Sequence, residues 1–240
     1  MWYDASIDAL MTRTSKRPIP AGAVKPGEAL AFGMSLSIGS VLFLGLIANW
    51  QSAAFLAFTI FFYVVIYTMW LKHWTTQNIV IGGAAGAFPP MIGYMAVTGS
   101  VSLESFLYFL LIFVWTPPHF WALALVKSNE YARAGVPMLP VVAGPDVTRL
   151  QILIYSLALI PVGMAPALIS NAGWIYLVVA MTFGIVLAYY AYDLYRKSEG
   201  EEGRKAAFRL FGTSILYLFA LFGARLVEQS LPFIPWSLMK

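Results

Sequence analysis

The stretch that decides the fold is Leu103–Val126, LESFLYFLLIFVWTPPHFWALALV. It exceeds the ~20 residues that carry an α-helix across ~30 Å of hydrocarbon, and its only acidic or basic side chains are Glu104 and His119. Residues 98–102 before it carry no charge, whereas residues 127–133 after it carry Lys, Glu and Arg. The pattern is typical of a membrane span that follows an uncharged loop and leads into a charged one.

Stretches of similar length and composition surround this one: Ala29–Ala48, Ala53–Leu71, Ile79–Val97, Leu150–Ile169, Trp174–Tyr195 and Ala206–Val227. Continuous apolar runs without two-residue alternation favour helices over a membrane barrel. The sequence therefore predicts an all-α, polytopic transmembrane helix bundle of seven spans, forming a single domain over residues 1–240. Proline pairs at 89–90 and 117–118 are expected to interrupt two spans, as packing kinks or cavity-lining breaks.

The basic residues gather on one side of the predicted bundle. Of the 15 Lys and Arg residues, 13 lie before the first span, in the gaps after the second, fourth and sixth spans, or just inside the last span. The opposite gaps, 49–52, 98–102 and 170–173, hold none. The positive-inside rule places the charged face in the cytoplasm and the C-terminus outside, as in a bacterial inner-membrane protein.

Composition narrows the function further. A chain with 60% hydrophobic and 11% charged residues is far from soluble averages. The net charge of +4 is interpreted as basic loops beside anionic lipid, not as a nucleic-acid site. The absence of cysteine excludes disulfides and thiolate chemistry.

The N-terminal stretch WYDASIDALMTRTSKRPIPAG, residues 2–22, holds the strongest chemical signal. Asp4 and Asp8 share one face if the segment is helical, and two carboxylates on one face repel each other unless a cation joins them. Arg13 and Arg17 follow closely, and carboxylates beside cations suit a polyphosphate bound through Mg²⁺. The alternative is an ordinary solvated helix end.

Two later motifs lie on the same charged side. Lys72 and His73 follow the second span, where a lysine can also simply snorkel to the interface. His119 lies inside the fourth span, where an unpartnered histidine is costly, and Lys127 and Glu130 lie just beyond it. Late in the chain, Asp193, Arg196, Arg225 and Glu228 are interpreted as local ion pairs near span ends.

Three strings carry a family resemblance: WYDASIDALMTRTSKRPIPAG, LKHWTTQNIVIGGAAGAFPPMIGY at 71–94 and WTPPHFWALALVKSNEYARAGVPMLPVVAG at 115–144. They resemble the intramembrane aromatic prenyltransferases of the UbiA type, and among these the branch that acts on haem. The resemblance implies nine helices with two cytoplasmic motifs facing each other across a cavity open to lipid. It also implies transfer of a farnesyl group from farnesyl diphosphate to the vinyl group of protohaem IX, assisted by Mg²⁺.

Site residues follow from this resemblance by position. The metal ligands would be Asp4, Asp8 and Glu130, with Asn129 beside them. The diphosphate would be bound by cationic side chains: Arg13, Arg17, Lys72, His73 and Lys127. Haem or the prenyl chain would contact residues on or near the spans: Tyr67, Trp115, His119, Trp121, Tyr131 and Arg133. For His119 three roles stay open, namely ligating the haem iron, steering a water, or bonding a carbonyl freed by Pro117-Pro118.

The chain also departs from the family pattern. The two helices expected before Asp4 are absent, so we expect an N-terminally truncated form with seven spans. His73 stands where the family usually has Arg, and Asn129 where an acid is common, which weakens phosphate and metal binding there. The partners implied are the lipid bilayer, the two substrates, and haem A synthase or a terminal oxidase that receives the product.

The sequence is compatible with two other functions. The nearer is another UbiA-type prenyltransferase with a quinone-precursor or chlorophyll-type acceptor. The more distant is a membrane transporter, for which broken helices are also typical. Transport predicts ionisable residues near the bilayer midplane and an internal repeat, and the sequence shows few of the former and no evident repeat.

Overall fold

The computed structural model describes residues 1–197 and 200–230, and within these ranges the secondary structure is helical, without β-strands. The helices are, in order, α1 Ala5–Leu10, α2 Pro26–Ile47, α3 Trp50–Phe61, a π-helix Phe62–Leu71, α4 Lys72–Trp74, α5 Asn78–Ala87, α6 Pro89–Thr98, α7 Leu103–Val126, α8 Ser128–Arg133, α9 Leu139–Val142, α10 Gly144–Ile169, α11 Trp174–Arg196 and α12 Gly200–Ser230.

Seven helical segments in the described part of the chain, some of them made of consecutive helices, are long and apolar enough to cross a membrane. This confirms the predicted number of spans. They are Pro26–Ile47, Trp50–Trp74, Asn78–Thr98, Leu103–Val126, Gly144–Ile169, Trp174–Arg196 and Gly200–Ser230. The fifth and seventh begin six residues earlier than the apolar pattern predicts. Their first turns are polar, and a helix that leaves the hydrocarbon continues into water without an apolar signal.

The core lies among α7, α10, α11 and α12. Leu111, Ile152, Leu159 and Leu187 are fully buried there, and the Tyr217 hydroxyl donates a hydrogen bond to the Leu159 carbonyl at 3.2 Å. Helix α5 packs on another side of α7, and α2 packs mainly against α3 and is largely exposed. The strongly packed half of the bundle therefore provides a rigid support for α7.

The two proline pairs behave differently. At Pro89-Pro90 the span is divided, because α5 ends at Ala87 and α6 begins at Pro89. At Pro117-Pro118 the predicted interruption is wrong, since α7 runs continuously through both prolines. Both rings are buried, and packing of α7 against α5, α10 and α12 holds the helix across the missing amide donors.

The π-helix was not predicted. Its wider turn joins residues five apart, and the Lys72 amide donates to the Tyr67 carbonyl. Tyr67 and Lys72 are therefore one turn apart along the same side of the helix. In a regular α-helix a spacing of five residues would place them on different faces.

The late charged residues do not pair as predicted, since Asp193 pairs with Lys197, at 3.0 Å, and not with Arg196. Arg225 instead bonds Glu104 of α7 at 2.6 Å. The Glu228 carboxylate accepts from the amides of Gly173 and Tyr176, each at 2.8 Å, and so caps the start of α11. These long-range bonds join α7, α11 and α12 at the side of the bundle whose loops, residues 49–52, 98–102 and 170–173, carry no Lys or Arg.

Candidate active site

The first motif forms a compact carboxylate pair. Asp4 precedes α1, Asp8 lies one turn later, and only 8% and 3% of their surfaces are exposed. The Arg17 Nη1 donates to both oxygens of Asp8, at 3.1 and 3.0 Å. The Thr14 hydroxyl donates to the Asp8 carbonyl at 2.8 Å, which folds the loop back against α1. The Asp8 amide donates to the Asp4 carbonyl at 2.8 Å, so the two aspartates are one helical turn apart, in keeping with their four-residue spacing.

The second motif reaches the first directly. The Lys72 ammonium donates to Asp4 Oδ2 at 2.6 Å, although the two residues are 68 positions apart. The Tyr3 ring also packs edge-on against His73, with ring centroids 5.9 Å apart. The end of the second span is thus held against the N-terminal segment by an ion pair and an aromatic contact.

The third motif lies within electrostatic reach of the first. A hydrogen bond from Lys127 at 2.8 Å lowers the pKa of Glu130, and the charges of Arg133 and Arg13 lower that pKa further. Burial raises the pKa of Tyr131, and the nearby charge of Arg13 opposes this shift. Arg13 of the N-terminal segment therefore lies beside Glu130 and Tyr131, which belong to α8.

Tyr67 lies where the three motifs meet. Its phenol interacts electrostatically with both Asp4 and Tyr131. Its ring packs directly on Gly82 of α5, where an added Cβ would lie only 2.1 Å from Cδ2 of the ring. The absence of a side chain at Gly82 is what lets Tyr67 occupy this position.

Unpaired polar atoms mark the interior of this arrangement. Asp4 Oδ1, Glu130 Oε2 and His73 Nε2 are buried and have no hydrogen-bond partner among the described residues. Asp4 and Glu130 thus each use one oxygen for a lysine and leave the other free. Burying a polar atom without a partner costs roughly 1–3 kcal/mol, and a ligand that supplied partners to these atoms would offset that cost.

An apolar groove of about 690 Å³ begins at this carboxylate site. Met1, Trp2, Tyr3 and Asp4 line one end, and the groove continues between α2 and the α3/π-helix span. Gly33 and Ser37, two small residues four apart on α2, are part of its wall. Sequence reasoning missed the groove, although this spacing of small residues was a visible signal.

Several predicted residues lie elsewhere. Asn129 is exposed and lines a separate cavity of about 290 Å³ together with Arg149 and Arg204. Arg133 is exposed, and Trp121 is buried against Tyr155 with ring centroids 5.5 Å apart. For Asn129, Arg133 and Trp121 the roles in metal, haem or prenyl binding stay predictions.

His119 and Trp115 lie deeper along α7. The two rings stack at 4.2 Å, and His119 Nδ1 is 2.7 Å from the Ser214 hydroxyl of α12. Sequence reasoning also missed Asn78, which is 1% exposed at the start of α5 and has neither amide atom paired among the described residues. An asparagine at the first position of an apolar span was the available signal.

Comparison with known proteins adds the family. The model of the UbiA prenyltransferase family matches residues 1–224. The chain belongs to the UbiA prenyltransferase family. It is therefore an integral membrane enzyme of the prenyltransferase class, as the seven apolar helices also indicate.

Curated relatives within the UbiA family carry a specific name. The chain is 63% identical, over 231 residues, to the protoheme IX farnesyltransferase of Methylorubrum extorquens, covering 96% of this chain and 73% of that protein. It is 58% identical over 234 residues to the protoheme IX farnesyltransferase of Beijerinckia indica, covering 98% and 73%.

Solved structures show the same fold. A structure described for digeranylgeranylglyceryl phosphate synthase aligns with a TM-score of 0.73 at 18% identity, covering 94% of this chain and 77% of that chain. A UbiA homologue from Aeropyrum pernix K1 aligns with a TM-score of 0.69 at 18% identity, covering 92% and 81%. The predicted helix bundle is thereby confirmed. The resemblance to UbiA-type enzymes is confirmed by the family match and the curated relatives.

Proposed function

We propose that this chain transfers a farnesyl group from farnesyl diphosphate to a vinyl group of protohaem IX, as the names of its relatives suggest. The observation that carries the proposal is the meeting of three distant motifs at one place. Asp4 bonds Lys72 directly, and Arg13 lies beside Glu130 and Tyr131. Such a cluster of carboxylates and cations at the end of an apolar groove suits an amphiphile with a diphosphate head.

The cations would bind the diphosphate. Lys72 and Lys127 are bonded to Asp4 and Glu130, each of which has a second, unpaired oxygen, and Arg13 lies beside Glu130. Arg17 is bonded to Asp8, and His73 contacts the Tyr3 ring. Before substrate arrives, Lys72, Lys127 and Arg17 are each held by a carboxylate, so the site is oriented in advance. Lysine and arginine donors stabilise the negative charge that grows on the leaving diphosphate, which is electrostatic catalysis.

The carboxylates fit a magnesium ion that is shared with substrate. UbiA-type prenyltransferases generally use Mg²⁺ for diphosphate binding. Among the described residues no group of three acidic or histidine side chains is arranged to hold a metal without help. Mg²⁺ commonly binds through one or two carboxylates plus substrate phosphates, and one or two of Asp4, Asp8 and Glu130 would supply such carboxylates. The ion would neutralise charge on the diphosphate when bound.

The apolar groove would hold the farnesyl chain, with the allylic carbon next to Asp4 and Tyr67. The C–O bond breaks with both electrons leaving on the diphosphate. The vinyl group of haem then attacks the allylic cation, water adds to the resulting cation, and a proton is released. Tyr67 would present a π face to the allylic cation and help to exclude water until haem attacks.

A direct product analysis tests this function. Purified chain in lipid nanodiscs, given farnesyl diphosphate, Mg²⁺ and protohaem, should yield hydroxyethylfarnesyl haem, identified by mass spectrometry. A parallel reaction with 4-hydroxybenzoate tests the quinone-precursor alternative and should yield no prenylated product. Prenylation of the benzoate without haem farnesylation would overturn the proposal.

The setting of the enzyme is part of the same proposal. The three motifs lie on the side that holds most of the basic residues, so we place them at the cytoplasmic face of a bacterial inner membrane, with the C-terminus outside. Residues 1–240 would act as one prenyltransferase domain. The product would pass to haem A synthase or to a terminal oxidase.

A further inference from the structure

The tautomer of His119 is fixed by its neighbours. His119 is 8% exposed, and its Nδ1 lies 2.7 Å from Ser214 Oγ. The Ser214 hydroxyl donates its single proton to the Phe211 carbonyl at 2.7 Å. We therefore assign Ser214 Oγ as the acceptor toward His119 and the imidazole proton to Nδ1. The predicted alternative of a bond to a carbonyl freed by Pro117-Pro118 is not what the structure shows.

This arrangement leaves Nε2 with a free lone pair. Nε2 makes no hydrogen bond with any described residue and is not among the fully enclosed polar atoms. The ring is held from both faces, by Trp115 at 4.2 Å and by Phe211 at 4.5 Å between centroids, with interplanar angles of 19° and 22°. The Trp115 indole also donates to the Ser214 carbonyl at 2.7 Å. The direction of the Nε2 lone pair is therefore fixed.

Two helices, α5 and α12, flank the part of α7 that carries His119. Thr116 of α7 contacts α5, where a Cβ on Gly83 would lie 2.9 Å from the Thr116 methyl group. His119 and Trp115 contact α12 through Ser214 and Phe211. Helices α5 and α12 are not closely packed against each other, and Nε2 is not fully enclosed by the described residues. His119 lies eight residues before Lys127, about 12 Å along the helix axis from the charged motifs.

We propose that His119 Nε2 ligates the iron of the haem acceptor and that Ser214 is the positioning residue for this ligand. The inference rests on the proposed function, because it assumes a haem substrate. A neutral imidazole whose Nδ1–H is held by an oxygen acceptor is the usual arrangement of a metal-ligating histidine. Ligation on the same helix that leads to Lys127 would hold the macrocycle at a fixed depth below the diphosphate.

Haem binding in the absence of farnesyl diphosphate tests the ligation without reference to activity. The full chain in nanodiscs is titrated with ferric and ferrous protohaem, and visible absorption, electron paramagnetic resonance and resonance Raman spectra are recorded. We expect histidine-ligated spectra for the wild type and for His73→Ala, which removes the only other histidine of the chain. His119→Gly should lose the ligation signature and recover it when imidazole is added.

A second variant separates ligation from folding. Ser214→Ala keeps the His119 ring but removes the partner of Nδ1, and loss of such an outer partner typically weakens metal affinity 10–100-fold. We expect about 10-fold weaker haem binding with histidine ligation retained. Unchanged haem spectra in His119→Gly, or loss of the signature in His73→Ala, would overturn the assignment.

The same preparations distinguish this inference from the proposed function. Wild-type chain that farnesylates haem but shows no histidine ligation would refute the role of His119 and leave the farnesyl transfer standing. Wild-type chain that shows histidine-ligated haem but forms no farnesylated product would refute the farnesyl transfer and leave the ligation standing.

Discussion

The contact between Tyr67 and Gly82 gives the sharpest structural prediction. A Cβ added at Gly82 would lie 2.1 Å from Cδ2 and 2.5 Å from Cε2 of the Tyr67 ring. Carbon atoms prefer separations of about 3.5–4.0 Å, so Gly82→Ala must push the Tyr67 ring away by about 1 Å or more. This movement displaces the phenol from its present position, in which it interacts with Asp4 and Tyr131. We therefore expect farnesyl transfer to fall about 100-fold, the typical effect of a misplacement of about 1 Å.

The matched control lies on the same helix. Gly86 of α5 has open space around its Cα, so Gly86→Ala adds a methyl group without a clash. Alanine in place of glycine favours a helix by up to about 1 kcal/mol, and Gly86→Ala should keep full turnover and a slightly raised unfolding midpoint. Gly82→Ala gains the same helix preference but suffers overpacking of typically 1–3 kcal/mol. The difference in unfolding free energy between the two variants measures the clash.

The assay is the initial rate of farnesyl-haem formation. Farnesol, the product of water attack on the allylic cation, is measured in parallel, and the unfolding of each variant is followed in detergent. In a Tyr67→Ala background the ring that Gly82 accommodates is gone, so Gly82→Ala should then behave like Gly86→Ala. The reasoning would be refuted by wild-type turnover in Gly82→Ala, or by an equal penalty for Gly82→Ala in the presence and absence of the Tyr67 ring.

Three further predictions concern the charged contacts. Arg17→Gln removes both bonds to Asp8 and should cost about 1.5–3 kcal/mol in kcat/KM, since bonds to charged groups contribute that much; an unchanged kcat/KM would show that Asp8 is held by other means. Lys127→Gln removes the main cause of the lowered pKa of Glu130, so this carboxylate protonates at higher pH and the acid limb of the pH–rate profile should shift to higher pH. An acid limb at unchanged pH would show that Glu130 does not determine it. Glu228→Gln weakens the cap of α11 and should lower stability by about 1–2 kcal/mol without changing turnover per folded molecule; a lost turnover at full stability would contradict a purely structural role.

The span pattern and the N-terminal motif were predictable from sequence. The lengths of the apolar stretches alone predict the seven spans. A helix in lipid makes its backbone hydrogen bonds within itself, so its position in the sequence can be predicted without knowing its tertiary contacts. The four-residue spacing also predicts that Asp4 and Asp8 share a face. Their actual partners, Lys72 and Arg17, are charged residues that the motifs already single out.

Other features depend on tertiary packing and are invisible in local patterns. The π-helix at Phe62–Leu71 has no distinctive composition, and the continuity of α7 through two prolines depends on neighbouring helices. The partner of Arg225 is Glu104, 121 residues away, whereas the sequence favoured a local pair. Ser214, which fixes the tautomer of His119, lies 95 residues from it on an apolar helix.

The central claim is that Asp4, Lys72 and the motif around Glu130 act on one diphosphate. The most direct measurement is kcat for haem farnesylation by Asp4→Asn at saturating Mg²⁺, compared with Glu202→Gln, which changes an exposed carboxylate on the charged side. We predict a loss of about 100-fold or more in Asp4→Asn, as for removal of a group that stabilises developing charge, and wild-type turnover in Glu202→Gln. Wild-type kcat in Asp4→Asn would contradict the account.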